Sequence, residues 1–176
     1  RLTPAEMTAF GAKLEAFAAH LASQGLTLVY HHHMGTIIES PDEIDAFMAN
    51  SGEGIPLLLD AGHLHFARGD VLRAIDNHHA RIRHVHTKDI RQSVLDNLDW
   101  SRDSFLDAVI KGAFTVPGDG SLDFGAIVQR LADHGYEGWF VVEAEQDPKA
   151  NPPLRMAQVG HAELMRVMTA AGYEVV

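Results

Sequence analysis

A chain of 176 residues, 46% hydrophobic and 22% charged, has enough apolar material for the core of one ordinary globular domain. A formal net charge of -10 works against phosphate backbones and anionic membrane surfaces, and the absence of cysteine excludes disulfides and thiolate metal sites. No apolar run approaches the roughly 20 residues that span a bilayer, and no signal-peptide pattern opens the chain, so it reads as cytoplasmic with neither nucleic acid nor membrane as partner.

Thr3-Pro4-Ala5-Glu6 combines an N-cap, a first-turn proline and the glutamate of a capping box, and Phe10, Leu14, Phe17 and Leu21 then recur on one helical face. The pattern predicts a helix over residues 4–23, ended by Gly25, followed by a buried strand over 26–30. Ser40-Pro41-Asp42-Glu43 repeats the capping box ahead of Ile44, Phe47 and Met48, and Gly54 precedes a strand over 55–59. Gly69-Asp70 opens a helix carrying Val71, Leu72 and Ile75, with the next strand over 82–86. After a long connection over 91–120, Ser121 is expected to cap a helix with Phe124, Ile127, Val128 and Leu131. A fourth strand over 138–143 and a closing helix over 155–172 complete the chain.

Strands alternating with helices through short connections predict right-handed βαβ units and a parallel sheet. A complete (β/α)8 barrel takes about 250 residues, so four βα units amount to about half of one: a single α/β domain over 1–176. A small open α/β sheet is the alternative. The chain begins at Arg1 and enters a helix at once, so the sequence reads as the C-terminal half of a barrel, cut within it. A half-barrel exposes sheet edges, which predicts association with the remaining half or with another copy.

Polar residues collect where the strands end: His31-His32-His33, Asp60 with His63, the run from His84 to Asp89, and Glu143 with Glu145. In parallel α/β folds these ends share one rim, where active sites sit. Residues two apart on a strand face the same side, which groups His84, His86 and Lys88, and likewise Val141, Glu143 and Glu145. A carboxylate at the end of a buried strand is costly unless paired, and a metal would resolve that cost. Imidazole and carboxylate donors suit manganese, cobalt, magnesium or zinc. His31 to His33 directly follow a strand rather than lying at a terminus, which sets them apart from a purification tag. His84 taken alone reads as a packed core histidine.

The segments Tyr30 to Ser40, Asp60 to Leu64, His84 to Asp89, Phe114 to Gly120 and Gly138 to Pro148 together resemble the inosose dehydratases of the xylose-isomerase-like TIM-barrel superfamily. The resemblance implies one divalent metal ion, manganese or cobalt ahead of magnesium or zinc, held at successive strand ends. Asp60, His86 and Glu143 match three ligand positions. Where the family pattern has a fourth carboxylate this chain has histidines, so Glu39 is expected as that ligand, with His31 or His33 as substitute.

The implied reaction removes water from a cyclic keto-polyol, scyllo-inosose, in myo-inositol breakdown. It requires an electrophile on the carbonyl, a base for the adjacent C–H and an acid for the departing hydroxyl. His31, His33 or His63 is expected to move the proton, and Lys88 with Asp89 to bind hydroxyls or assist the leaving group. A sugar isomerase or epimerase would use the same metal and return the proton. A metal-dependent endonuclease is disfavoured by the charge, and a non-catalytic metal-binding module is the remaining alternative.

Overall fold

The computed structural model describes residues 1–175. Both capping boxes form: Thr3 and Glu6 close the start of α1 (Pro4–Ser23), and Ser40 with Glu43 closes that of α2 (Pro41–Asn50). Gly25 ends the first helical segment at φ 77°, a conformation that favours glycine. None of the described helices is long and apolar enough to cross a membrane.

Four strands, β1 (Tyr30–His31), β2 (Leu57–Asp60), β3 (Ile82–His86) and, much later in the chain, β6 (Trp139–Val141), form one parallel sheet in the order β1-β2-β3-β6. β2 is central and buried throughout. Its alternation decides where the site lies. Leu57 and Leu59 join Val85 in the main core, together with Phe47 of α2, Ile75 of α4 (Val71–His78), Leu131 of α7 (Phe124–Asp133) and Val167 of α8 (Pro153–Ala170). Leu58 and Asp60 take the other face. The strand expected over 26–30 is reduced to its last residue plus His31. Pro56 of the neighbouring segment has no N–H to donate, and the ladder starts at Leu57.

The expected face of α1 holds in part: Phe10 and Leu14 pack against the main core, but Phe17 does not. Met7, Gly11 and Ala18 are the buried positions, while Phe17 is half exposed. Small residues win here because α1 lies against the end of α2: a Cβ on Gly11 would sit only 2.3 Å from the Asn50 carbonyl oxygen.

The long connection is not featureless. After the short helix α3 (Ala61–Phe66), residues 89–115 hold β4 (Asp89–Ile90), α5 (Gln92–Leu95), α6 (Phe105–Ile110) and β5 (Phe114–Thr115), with β4 and β5 antiparallel. Phe66, Ile90, Leu95, Leu98, Ala108, Ala113 and Phe114 give this excursion a small core of its own. Ser121 does not cap the next helix. Asp123 does, through Oδ1 and the Ala126 N–H at 2.9 Å. An aspartate directly ahead of the first helical residue is better placed than a serine two residues earlier.

Arg81, just before β3, fixes the loop that leads into β2. Its guanidinium donates to the carbonyls of Met48, Ser51, Gly52 and Ile55 and to the Ser51 hydroxyl, at 2.6–3.1 Å. Arg81→Met strands these acceptors and is expected to lower unfolding free energy by about 3 kcal/mol, measured by urea denaturation. A loss below about 1 kcal/mol, the size of a single ordinary hydrogen bond, would mean that water replaces the guanidinium without penalty.

Candidate metal centre

The last residues of three neighbouring strands, His31, Asp60 and His86, converge with Glu143, which lies just past β6. Asp60 does two jobs. Its Oδ1 accepts from the His63 N–H at 2.8 Å and caps α3, while its Oδ2 points into the cluster. His32 turns the opposite way from His31 and accepts the Asp60 backbone N–H at 3.1 Å, so the main chain at the end of β2 is also fixed.

Inside the cluster, His86 Nδ1 lies 2.8 Å from Glu143 Oε2 and 3.3 Å from Asp60 Oδ2, and His31 Nε2 is 3.8 Å from Asp60 Oδ2. Despite this closeness, His86 Nδ1, Asp60 Oδ2 and Glu143 Oε2 are all buried without a well-directed hydrogen bond. Atoms that share a cation at about 2.0–2.2 Å lie about 3–3.5 Å from one another. The donor atoms of His31, Asp60, His86 and Glu143 thus crowd one small volume, at spacings close to those of atoms that share a cation. Their chemistry, two imidazoles and two carboxylates, suits a divalent ion.

The electrostatics agree. Burial opposes charge on Asp60, but His86, Lys88 and the His63 N–H outweigh it and hold the carboxyl far below the usual range. Glu143 is pulled down to about 2, chiefly by His86 and against its burial. Burial disfavours charge on His86 as well, yet Asp60 and Glu143 together raise it to about 9. Two carboxylates thus demand one positive charge between them, which a proton or a cation can supply. Burial lowers His31 to about 4, leaving its imidazole neutral and able to ligate at neutral pH.

A second group adjoins the first. His33, His63 and Glu145 converge, with His33 Nε2 3.6 Å and His63 Nε2 3.4 Å from the Glu145 carboxylate. Lys88, wholly buried, puts Nζ 2.8 Å from His63 Nε2 and 3.0 Å from Glu145 Oε2, and 3.4 Å from Glu143 Oε2. Its stem needs Gly62, where a Cβ would lie 2.7 Å from Lys88 Cγ. That contact accounts for the glycine, which sits in ordinary helical conformation in α3 rather than in a tight turn. Phe105 and Phe114 wall the group, with ring centroids 5.8 and 5.4 Å from that of His63. Burial lowers His63 to about 3. His33 donates from Nδ1 to the Met34 carbonyl at 2.7 Å, which leaves Nε2 to accept.

Of the residues singled out from sequence, Asp60, His86 and Glu143 come together, His31 joins them, and His33, His63 and Lys88 form the adjoining group. Glu39 does not reach either. Its carboxylate accepts from the Gly35 N–H at 2.8 Å across its own loop, and nearness in sequence to His31 did not place it near in space. Asp89 is also elsewhere. One residue on from Lys88 it takes the opposite face, and its Oδ1 accepts from the N–H groups of Ile90, Ser121 and Leu122 at 2.7–3.1 Å. Glu145, two residues past Glu143, belongs to the site although sequence reasoning gave it no role. The alternation that pointed to Glu143 marks it equally. Nothing in the sequence pattern marked Phe105 and Phe114 as walls.

Asp89→Ala is expected to cost about 3 kcal/mol of stability by stranding three backbone donors, with cation binding unchanged. Urea denaturation alongside metal titration checks this. A variant of wild-type stability that has lost cation binding would return Asp89 to the site.

The sequence pattern of the xylose isomerase-like TIM barrel family matches residues 3–169. The rhizopine catabolism protein MocC of Rhizobium meliloti is 47% identical over 175 residues, covering 99% of this chain and 54% of that protein. An inosose dehydratase of Geobacillus thermodenitrificans is 51% identical over 137 residues, or 77% of this chain and 46% of that enzyme. The crystal structure of IolI protein with a binding zinc atom superposes with a TM-score of 0.70 at 15% identity, over 99% of this chain and 60% of that one. The chain spans about half the length of the curated relatives it matches. Four parallel strands with their helices and a family pattern running almost end to end lead to one assignment: this chain belongs to the xylose isomerase-like TIM barrel family.

Proposed function

We propose that this chain contributes the metal centre of a hydro-lyase that removes water from a cyclic keto-polyol, scyllo-inosose, giving a trihydroxycyclohexane-dione in myo-inositol breakdown. The observation that carries the reading is the convergence of buried donor atoms of Asp60, His86 and Glu143, none with a well-directed hydrogen bond, with His31, directly beside a second group rich in proton-transfer side chains. Similarity at 43–51% identity to proteins named inosose dehydratase supports the substrate class.

His31, Asp60, His86 and Glu143 would hold one divalent cation, with manganese or cobalt preferred. When bound, such an ion polarises a carbonyl and favours negative charge developing on its oxygen. The remaining work falls to the protein. His33 is the base: its Nδ1–H is held by the Met34 carbonyl, its Nε2 is free to take the proton on the carbon next to the ketone, and Glu145 stands 3.6 Å away to balance the imidazolium. His63 is less suited because Lys88 already donates to its Nε2.

Lys88 is the acid. The C–H electrons form the new carbon–carbon double bond, the β C–O bond breaks, and the departing hydroxide takes a proton from Nζ and leaves as water. The enol that remains rearranges to the dione. The aromatic wall of Phe105 and Phe114 limits water around these steps.

In the intact protein, Asp60→Ala or Glu143→Ala should remove the bound cation and cut turnover of scyllo-inosose about a thousandfold or more. Glu39→Gln should change neither. Elemental analysis and dione absorbance read both quantities. Undiminished turnover in a metal-free Asp60→Ala protein would overturn the reading, and conversion of a ketose without water loss would move the protein to the isomerases.

A further inference from the structure

We propose that Lys88 occupies the second of two adjacent cation positions and so restricts the centre to a single divalent ion. The inference rests on the metal-centre reading above and deepens it. His33, His63 and Glu145 each offer a donor atom, and these atoms lie within 4.8 Å of one another, as those of the first cluster do. By composition and spacing this is a second cation site. Two-metal centres place their ions about 3.5–4 Å apart with carboxylates between them, and here the two clusters adjoin through one atom, Lys88 Nζ, 3.4 Å from Glu143 Oε2 and 3.0 Å from Glu145 Oε2.

What fills the position is an ammonium group. Lys88 Nζ contacts two of the three second-group donors, at 2.8 Å from His63 Nε2 and 3.0 Å from Glu145 Oε2. It also lies 3.4 Å from Glu143 Oε2 and 3.7 Å from Asp60 Oδ2, one contact away from the first position. The group cannot swing aside cheaply. Its side chain is wholly buried, the stem rests on the bare Cα of Gly62, and Nζ sits 5.4 Å from the centroid of the Phe114 ring.

The charge balance points the same way. Asp60, Glu143 and Glu145 supply three negative charges and Lys88 one positive, which leaves room for one divalent ion at neutrality. A second ion would have to enter beside both the first and the ammonium.

The test counts cations. Metal-free intact protein and the variants Lys88→Met and Lys88→Gln are titrated with Mn²⁺, and bound metal is measured by calorimetry and elemental analysis. One Mn²⁺ per chain is expected for the wild type and two for each variant, with the paramagnetic resonance signature of a coupled pair. Adding Glu145→Gln to Lys88→Gln should return the count to one. Circular dichroism verifies folding, and the glutamine variant keeps a polar group should the methionine variant fail. His33→Ala in the otherwise unchanged chain provides a check independent of any lysine variant. Its Mn²⁺ affinity should stay within about twofold, whereas loss of a true ligand or its support costs about tenfold or more.

Zero Mn²⁺ in the wild type would overturn the metal-centre reading itself. One in the wild type and one in both folded variants would overturn the assignment to Lys88 alone. So would two in the wild type, or a tenfold loss in His33→Ala.

Discussion

The structure is organised around the carboxylate of Asp60, which is fully buried and ionised. A charge in such a place is tolerated only if both oxygens are provided for. One oxygen is provided for by the backbone, through the first turn of α3. The other is provided for only by side chains that arrive from different strands: His86 from β3, His31 from β1, and Lys88 from beyond β3. The sheet order β1-β2-β3-β6 is what allows this, because it places the strand bearing the aspartate between its partners. Arg81 and His32 serve the same end from outside, by tying the loop into β2 and the peptide N–H at its exit.

From this carboxylate the rim divides into two compartments that share a boundary. The first, next to Asp60, is made of closely spaced donors with no well-directed hydrogen bond among Asp60 Oδ2, His86 Nδ1 and Glu143 Oε2. The second, around His63, is bridged by Lys88, which donates to His63 Nε2 and Glu145 Oε2 and leaves His63 Nδ1 without a partner, and it is closed by aromatic rings. The excursion between residues 89 and 115 builds that closure, since Phe105 and Phe114 both come from it. Asp89 connects the excursion to the 120–122 loop, where Gly120 passes so near that a Cβ would lie 2.3 Å from the aspartate carboxyl. The wall around the histidines therefore depends on a carboxylate that does not face them.

Much of this was legible in the sequence because two rules have little competition. Capping boxes at Thr3 and Ser40 mark helix starts through hydrogen bonds local to four residues, and tertiary context does not override them. Strand alternation likewise groups His31 with His33, His86 with Lys88, and Glu143 with Glu145. The failures arise where distance along the chain stood in for distance in space. Glu39 is eight residues from His31, yet its loop folds back on Gly35. Ser121 is close to the helix it was expected to cap, but its N–H serves Asp89. The elements between residues 89 and 115 are two to six residues long, shorter than the periods by which helices and strands are recognised, so only their packing reveals them. On α1, Phe10 and Leu14 pack as their spacing suggests, and only Phe17 departs. Size of side chain suggested Phe17, while the close approach of the α2 backbone selected Gly11.

The division into two compartments bears on why one scaffold can serve reactions with different outcomes. A cation in the first compartment, on the proposed reading, favours negative charge on a carbonyl oxygen, and that step is common to water elimination and to sugar isomerisation. On the same reading the second compartment decides the outcome. Returning a proton to carbon requires a protonated group over that carbon, whereas expelling hydroxide requires a protonated group held near the β oxygen. In the proposed mechanism the proton acceptor and the proton donor are different residues with different supports: His33 is held by a backbone carbonyl, and Lys88 by His63, Glu145 and the contact with Gly62. On that reading, elimination wins over proton return because the acid is held apart from the base and serves the β oxygen rather than the α carbon. The nature of the second compartment, more than the identity of the metal ligands, is therefore what ties this chain to a lyase reading.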